Sequence, residues 1–229
     1  MNLHLHTEAD PIDAALAALP PAHSLPQALY NSEAAFRRDL ERIFARHWVL
    51  AGHESQAPAA GDWFLADVAD ESVIVVRGRD GALRAFANVC RHRGSRVCLE
   101  PQGHANVLVC PYHAWSYNLD GSLRGARHMG ERFERGRYGL KPVSIQVAEG
   151  LVFLSLAETP LNFDTARRAI WDSFGAYGWR TAKVAHRETY RVEANWKLAV
   201  ENYLECYHCG PSHPEYSKLH ALEKPLPEI

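Results

Sequence analysis

The chain has 229 residues and a mass of 25.7 kDa, with 47% hydrophobic and 23% charged side chains and a mean hydropathy of −0.29. That length can bury one large core or two modest ones, and the composition excludes a disordered or fibrous chain. A formal net charge of −2 without long single-sign runs leaves no polybasic footprint for nucleic acid or an anionic membrane. No stretch approaches the ~20 apolar residues that cross a bilayer, and Met1-Asn2-Leu3-His4-Leu5-His6 lacks the basic start and apolar core of a secretion signal. The chain therefore reads as cytoplasmic, with a small near-neutral molecule as its default partner. In a reducing compartment its five cysteines read as metal ligands or core thiols, and its 13 histidines point the same way.

In chain order, Pro11, Pro20, Pro21 and Pro26 mark an arm with no core of its own, expected to dock late or on a partner subunit. From the candidate N-cap Asn31, apolar residues Phe36, Leu40, Ile43, Phe44 and Trp48 predict an amphipathic helix of about four turns reaching Gly52. After Gly61 the period changes to two. Trp63-Phe64-Leu65, Val73-Ile74-Val75-Val76 and Leu83-Arg84-Ala85-Phe86 predict strands, with Asp80-Gly81 as a hairpin turn. Further short strands follow at Val107-Leu108-Val109, Trp115-Ser116-Tyr117, Ser144-Ile145-Gln146-Val147 and Leu151-Val152-Phe153-Leu154, with an Asp120-Gly121 turn. Residues 55–157 thus read as an all-β module of small antiparallel sheets, preceded by an arm and helix at 1–54. Beyond Pro160, a helical pattern over Asp164–Tyr177, a strand-like Lys183–Val192 and a helix from Asn195 to Cys209 open a second, α+β domain at 158–229. One strand and two helices do not close a core, so that domain reads as the front of something longer.

Chemistry concentrates first in Cys90-Arg91-His92 and, after 17 intervening residues, Cys110-Pro111-Tyr112-His113. Two thiolates and two imidazoles in short loops suit either one tetrahedral zinc or a two-iron cluster with a Cys pair on one iron and a His pair on the other. The pattern Cys-x-His…Cys-x-x-His, within Cys90-Arg91-His92-Arg93-Gly94 and Cys110-Pro111-Tyr112-His113-Ala114-Trp115, resembles the Rieske [2Fe–2S] domain. The resemblance implies that Cys90 and Cys110 hold the inner iron, and His92 and His113 the outer one. Tyr112 stands where respiratory Rieske proteins carry a disulfide cysteine, so Cys98 has no partner there and reads as a buried thiol, and the pattern resembles the soluble oxygenase branch.

The second concentration runs from Asn195 to His213, where Glu201, Glu205 and His208 fall at helical spacing on one face and Gly210-Pro211 is a stop signal. A turn there can bring His213 beside His208, two imidazoles short of one carboxylate for a facial iron triad. Glu-Asn-x-x-Glu-x-x-His-x4-His after a Rieske motif is similar to the catalytic domain of Rieske non-haem iron oxygenase α subunits, over roughly Phe44 to Leu222. That likeness implies a truncated helix-grip-like domain in which His208 and His213 bind mononuclear Fe(II). Glu205 would be the carboxylate bridging His208 to a cluster imidazole, here His113, and Asn202 a polar residue lining the iron site. The family's third iron ligand, Asp or Glu, is expected beyond residue 229, since Glu215, Glu223 and Glu228 lie close to His213 in sequence. This chain is then expected to assemble the cluster but not a complete iron site. Cys206 and Cys209 are expected to pack beside the iron, and Trp48, Trp63, Trp115, Trp171, Trp179 and Trp196 to pack in cores and hairpins.

The resemblance further implies an NAD(P)H-dependent flavin or iron–sulfur reductase as electron donor, O₂ and a small molecule as substrates, and a homotrimer in which electrons cross between subunits. Glu205 in place of the commoner Asp, and the wording around Gly125-Ala126-Arg127-His128-Met129 and Trp196–His208, look most like members that hydroxylate quaternary ammonium compounds and thereby N-demethylate them. An aromatic ring-hydroxylating oxygenase is the alternative within the family. A Rieske electron carrier and a zinc-stabilised binding module are the alternatives outside it.

Overall fold

The computed structural model describes residues 10–130 and 132–220. His4, His6, Glu223 and Glu228 lie outside the described residues. The chain divides into two compact units: a β unit from Arg38 to Arg187, and a helical unit that joins the stretch up to Arg37 with the stretch from Glu188 onward. Among the described residues no helix is long and apolar enough to cross a membrane.

Among the described residues the β unit has ten strands: β1 (Val49–His53), β2 (Asp62–Val68), β3 (Glu71–Arg77), β4 (Leu83–Ala87), β5 (Gln102–His104), β6 (Leu108–Val109), β7 (Ser116–Tyr117), β8 (Leu123–Gly125), β9 (Pro142–Ala148) and β10 (Leu151–Ser155). They form one antiparallel sheet in the order β1-β10-β9-β4-β3-β2-β5 and a smaller one in the order β6-β7-β8. The all-β antiparallel expectation holds, although one sheet is large. Central β3 shows why its sequence is continuously apolar. Val73 and Val75 point into one core with Phe64, Val152 and Leu154, whereas Ile74 and Val76 point into another with Trp63, Phe86 and Tyr117. The second core reaches the metal-ligand loops, because Cys90, Cys110 and Trp115 belong to it. The β7–β8 turn demands Gly121, whose φ of +84° is left-handed and whose Cα lies against the Phe86 ring.

The helix expected from Asn31 to Gly52 stops early. α2 (Ala28–Asn31) and α3 (Glu33–Asp39), after α1 (Pro11–Ala17), lead into a π-helical turn at Leu40–Phe44. Val49–His53 is instead a strand, because pairing with Leu151–Leu154 of β10 satisfies its backbone. The strand expected at Lys183–Val192 is absent, since this stretch is exposed and lies on no sheet edge among the described residues. α4 (Asp164–Phe174) and a 3₁₀ turn at Gly175–Tyr177 follow the predicted helical pattern. Trp63 and Trp115 pack in the core as expected, but Trp171 is 61% exposed and lies off it.

In the helical unit, α5 (Trp196–Leu204), α6 (Cys209–Ser212) and α7 (Pro214–Leu219) follow one another. The N-terminal arm docks on α5 of its own chain, where the expectation had left a partner subunit open. The Tyr30 hydroxyl donates to Glu201 at 2.8 Å, Asn195 Nδ2 donates to the Tyr30 carbonyl at 2.9 Å, and Lys197 Nζ donates to the Leu29 carbonyl at 3.1 Å.

Candidate metal centres

Both cysteine–histidine pairs sit in loops of the β unit. The first loop leaves β4 at Ala87 and is fastened by the buried Asn88 side chain. Its Oδ1 accepts from the backbone N–H groups of Val97 and Cys98 at 3.0 and 2.9 Å, while Nδ2 donates to the Cys98 carbonyl at 2.8 Å and to Ser72 Oγ at 3.2 Å. Within the loop, the Cys90 N–H donates to the Ser95 carbonyl at 2.8 Å and the Gly94 N–H to the Cys90 carbonyl at 3.0 Å. The loop between β6 and β7 repeats this frame. The Cys110 N–H donates to the Trp115 carbonyl at 2.8 Å and the Ala114 N–H to the Cys110 carbonyl at 3.0 Å. Both place a left-handed residue four positions after the cysteine, Gly94 at φ +74° and Ala114 at φ +55°.

These twin frames bring the four predicted ligands together. His92 and His113 approach edge to face, with ring centroids 4.6 Å apart, and His92 stacks on the buried Trp115 at 4.9 Å. Trp115 is backed in turn by Phe133 and Tyr138. The Tyr117 hydroxyl accepts from the Arg91 N–H at 3.0 Å and lies 3.2 Å from Cys90 Sγ. Burial pushes the Cys90 thiol up, and Cys110 beside it adds to the rise. Burial, together with the nearby His113 and Arg93 charges, holds the His92 imidazole below its usual range, which favours the neutral, ligating form.

His92 Nδ1 tests whether these residues fit a metal group. It is buried and finds no hydrogen-bond partner. A buried imidazole nitrogen without a partner, a second imidazole against it and two buried thiols in the same two loops give two nitrogens and two sulfurs, the ligand set of a mixed Cys/His two-iron cluster. Cys98 is a buried free thiol as expected, and burial raises its pKa to about 12.

The second set lies in the helical unit, and its backbone departs from the expectation. α5 begins at the Asn195 cap, whose side chain accepts from the Lys197 N–H at 3.0 Å, but it ends at Leu204. Glu205 is extended, at φ −120° and ψ 142°, so Glu201, Glu205 and His208 do not share one helix face. The reason is local: Glu205 Oε2 accepts from the backbone N–H groups of Tyr207 and His208 at 2.5 and 3.2 Å, in competition with continued helix. Glu205 Oε1 meets His208 Nδ1 at 2.5 Å. This contact with His208, foremost, holds the Glu205 carboxyl below the usual range. Gly210-Pro211 does not end a helix but lies inside α6, and His213, just after it, brings its ring centroid 5.5 Å from that of His208. Asn202 is exposed on α5, and of the two cysteines expected to pack here Cys209 is buried whereas Cys206 is exposed. Among the described residues no three His, Cys, Asp or Glu side chains group around one metal ion.

Sequence reasoning missed Asn88 and the Tyr117 hydroxyl. The available signals were an Asn at a strand end two residues before a ligand cysteine, and a Tyr in a strand otherwise turned inward.

Comparison with known proteins agrees with this architecture. Residues 47–146 match the Rieske [2Fe–2S] domain, and residues 179–227 match the catalytic domain of the ring hydroxylating α subunit. The chain therefore carries a Rieske [2Fe–2S] domain followed by a segment that matches the catalytic domain of ring hydroxylating α subunits, two matches that imply a Rieske cluster and a mononuclear iron. It is 44% identical over 196 residues to the oxygenase subunit of glycine betaine monooxygenase from Pseudomonas aeruginosa (strain UCBPP-PA14), covering 85% of this chain and 46% of that protein. It is 39% identical over 208 residues to the oxygenase subunit of carnitine monooxygenase from Escherichia coli (strain K12), covering 86% and 54%. The crystal structure of the quaternary ammonium Rieske monooxygenase CntA with L-carnitine superposes with a TM-score of 0.79 at 35% identity, covering 87% of this chain and 58% of that one. The chain spans about half the length of the curated relatives it matches.

Proposed function

We propose that this chain acts in the oxygenase component of a cytoplasmic Rieske-type system that hydroxylates, and so N-demethylates, a small quaternary ammonium compound. An NAD(P)H-dependent flavin or iron–sulfur reductase supplies the electrons, and the subunits work as a homotrimer. In this reading 55–157 is the cluster domain, 158–229 the beginning of the catalytic domain and 1–54 an arm and helix. Likeness to glycine betaine and carnitine monooxygenase subunits supports the substrate class.

Cys90 and Cys110 would hold one iron of the cluster, His92 and His113 the other, and His208 and His213 the mononuclear iron. When bound, these centres supply one-electron transfer and oxygen activation. The chain's own residues position them. Asn88 and Tyr117 fix the first ligand loop. The observation that carries the reading is Glu205, because a carboxylate on His208 Nδ1 sets that ring's tautomer and leaves Nε2 for a metal. The two backbone N–H groups on its other oxygen keep the carboxylate aimed. Glu205 thereby serves as the bridging carboxylate toward a partner's cluster imidazole, and Asn202 lines the iron site.

The test is formaldehyde release from glycine betaine and carnitine by the protein as the cell makes it, with an NADH-dependent reductase. Formaldehyde from a quaternary ammonium compound is expected, and Glu205→Ala should abolish it while leaving the visible spectrum of the cluster intact. Product from an aromatic acid alone would overturn the substrate class. A cluster that is reduced and reoxidised without product from any of these substrates would overturn the oxygenase reading and leave an electron carrier.

A further inference from the structure

Cys206 and Cys209 enclose His208 in sequence, and the metal chemistry proposed above uses neither. The Cys209 N–H donates to the Cys206 carbonyl at 3.0 Å, closing a tight turn over Tyr207 and His208. A turn of this kind holds its end Cα atoms within ~7 Å, which overlaps the ~4.4–6.8 Å window in which two cysteines can be bridged. Both are free; Cys206 is exposed and Cys209 is buried. An exposed thiol that meets an oxidant first, with a sheltered thiol close enough to resolve the product, is the arrangement of a reversible dithiol–disulfide pair.

We propose that Cys206 and Cys209 form a redox-modification site that a peroxide closes into a disulfide, locking the turn that carries His208. The Cys206 thiol gives up its proton and its thiolate attacks the peroxide; the O–O bond breaks, the departing hydroxide takes up that proton and leaves as water, and Cys206 becomes a sulfenic acid. Cys209 Sγ then attacks the Cys206 sulfur; the S–S bond forms, the S–O bond breaks, and a second water departs. Hydrogen peroxide is thus reduced by two electrons to two waters while the dithiol is oxidised by two electrons. Glu205 precedes this turn and accepts from two of its N–H groups, so the disulfide closes around the segment whose shape aims His208. The site stands on the backbone turn that joins the two cysteines and does not depend on the oxygenase reading.

Trypsin isolates both thiols in one peptide, Leu198 to Lys218, that holds no other cysteine. The native protein is treated with hydrogen peroxide, blocked with iodoacetamide and digested. The expected result is a peptide lighter by two hydrogens that takes up alkylating agent only after dithiothreitol. In Cys209→Ser, which leaves Cys206 without its resolving partner, Cys206 should accumulate as a sulfenic acid trapped by dimedone. Oxidation of wild-type Cys206 to sulfinic or sulfonic acid with no internal disulfide would overturn the proposal. So would both thiols remaining alkylatable at a peroxide dose that traps Cys206 in Cys209→Ser.

Discussion

In the β unit, the Asn88 side chain reaches across to Cys98, ten residues on, and Tyr117 reaches back to Arg91 across 26 positions, so the first ligand loop is fixed by contacts that exist only in the folded sheet. In the helical unit, Glu205, His208 and His213 lie within one short run, and their geometry comes from a single turn. The difference extends to packing. Asn88 has no exposed surface and Tyr117 has none, whereas α5 buries no residue and Tyr203 and Tyr207 are 87% and 95% exposed. The first site is held by core packing, and the second is a local motif whose hydrogen bonds lie within its own turn. Substitutions that remove a fastening should therefore cost global stability in the first unit and only local order in the second.

The largest expected effect is that of Asn88→Ala. It strands the N–H groups of Val97 and Cys98 and the Cys98 carbonyl in the core, which costs about 3 kcal/mol or more in chemical denaturation and loosens the loop of Cys90 and His92. Its counterpart Glu205→Gln should leave the denaturation midpoint unchanged while freeing the His208 ring, read as a change in His208 nuclear magnetic resonance shifts. A midpoint that falls as far for Glu205→Gln as for Asn88→Ala would break the comparison.

Tyr117→Phe is a smaller lesion, because the hydrophobic ring stays. It should cost about 1–2 kcal/mol through the orphaned Arg91 N–H. With the cluster bound it should also lower the reduction potential, since a hydrogen bond to a ligating sulfur favours the reduced state. A potentiometric titration that finds no shift would show that the hydroxyl serves the backbone alone.

Ala114→Gly tests the twin frames in the stabilising direction. Ala114 holds a left-handed conformation that its counterpart Gly94 adopts freely, so the change should raise stability by about 0.5–1 kcal/mol. A loss instead would mean that the Ala114 methyl group packs to more effect than its backbone is strained.

The smallest effect lies at the rim of the β unit, where Asp62 pairs with His104 at 2.8 Å and accepts from the Ala59 N–H. The His104 contact, foremost, holds the Asp62 carboxyl below the usual range. A lowered carboxylate pKa contributes stability that is fully present above the unfolded value of ~3.9 and is lost as pH falls through the lower folded value. The gap in melting temperature between wild type and Asp62→Asn should accordingly be present near pH 5 and close as the solution is acidified below about pH 4. A gap that persists in acid would assign the pair's effect to packing.

What the sequence disclosed follows the same division. The strands from Asp62 to Ser155, apart from the short β5 and β8, were legible because alternation and Asp-Gly turns are local signals, and the ligand pairs because Cys-x-His and Cys-x-x-His at that separation are rarely incidental. Val49–His53 was misread as helix, since its strand character comes from β10, a hundred residues away. Lys183–Val192 has a strand's composition, but among the described residues no sheet edge receives it. The end of α5 was hidden for a different reason. Glu205 is a good helix former by propensity, and only its capture of the Tyr207 and His208 N–H groups turns it into a stop. Asn88 was invisible as a fastening because a polar residue at a strand end ordinarily reads as a turn.

The central claim is that Cys90, His92, Cys110 and His113 hold a two-iron cluster. Visible absorption and electron paramagnetic resonance of anaerobically purified protein, before and after dithionite and with iron and zinc counted, test it most directly. The account predicts a brown protein whose reduced form gives the rhombic signal of a histidine-ligated two-iron cluster, and loss of that signal in His113→Ala. A colourless protein loaded with zinc would contradict it.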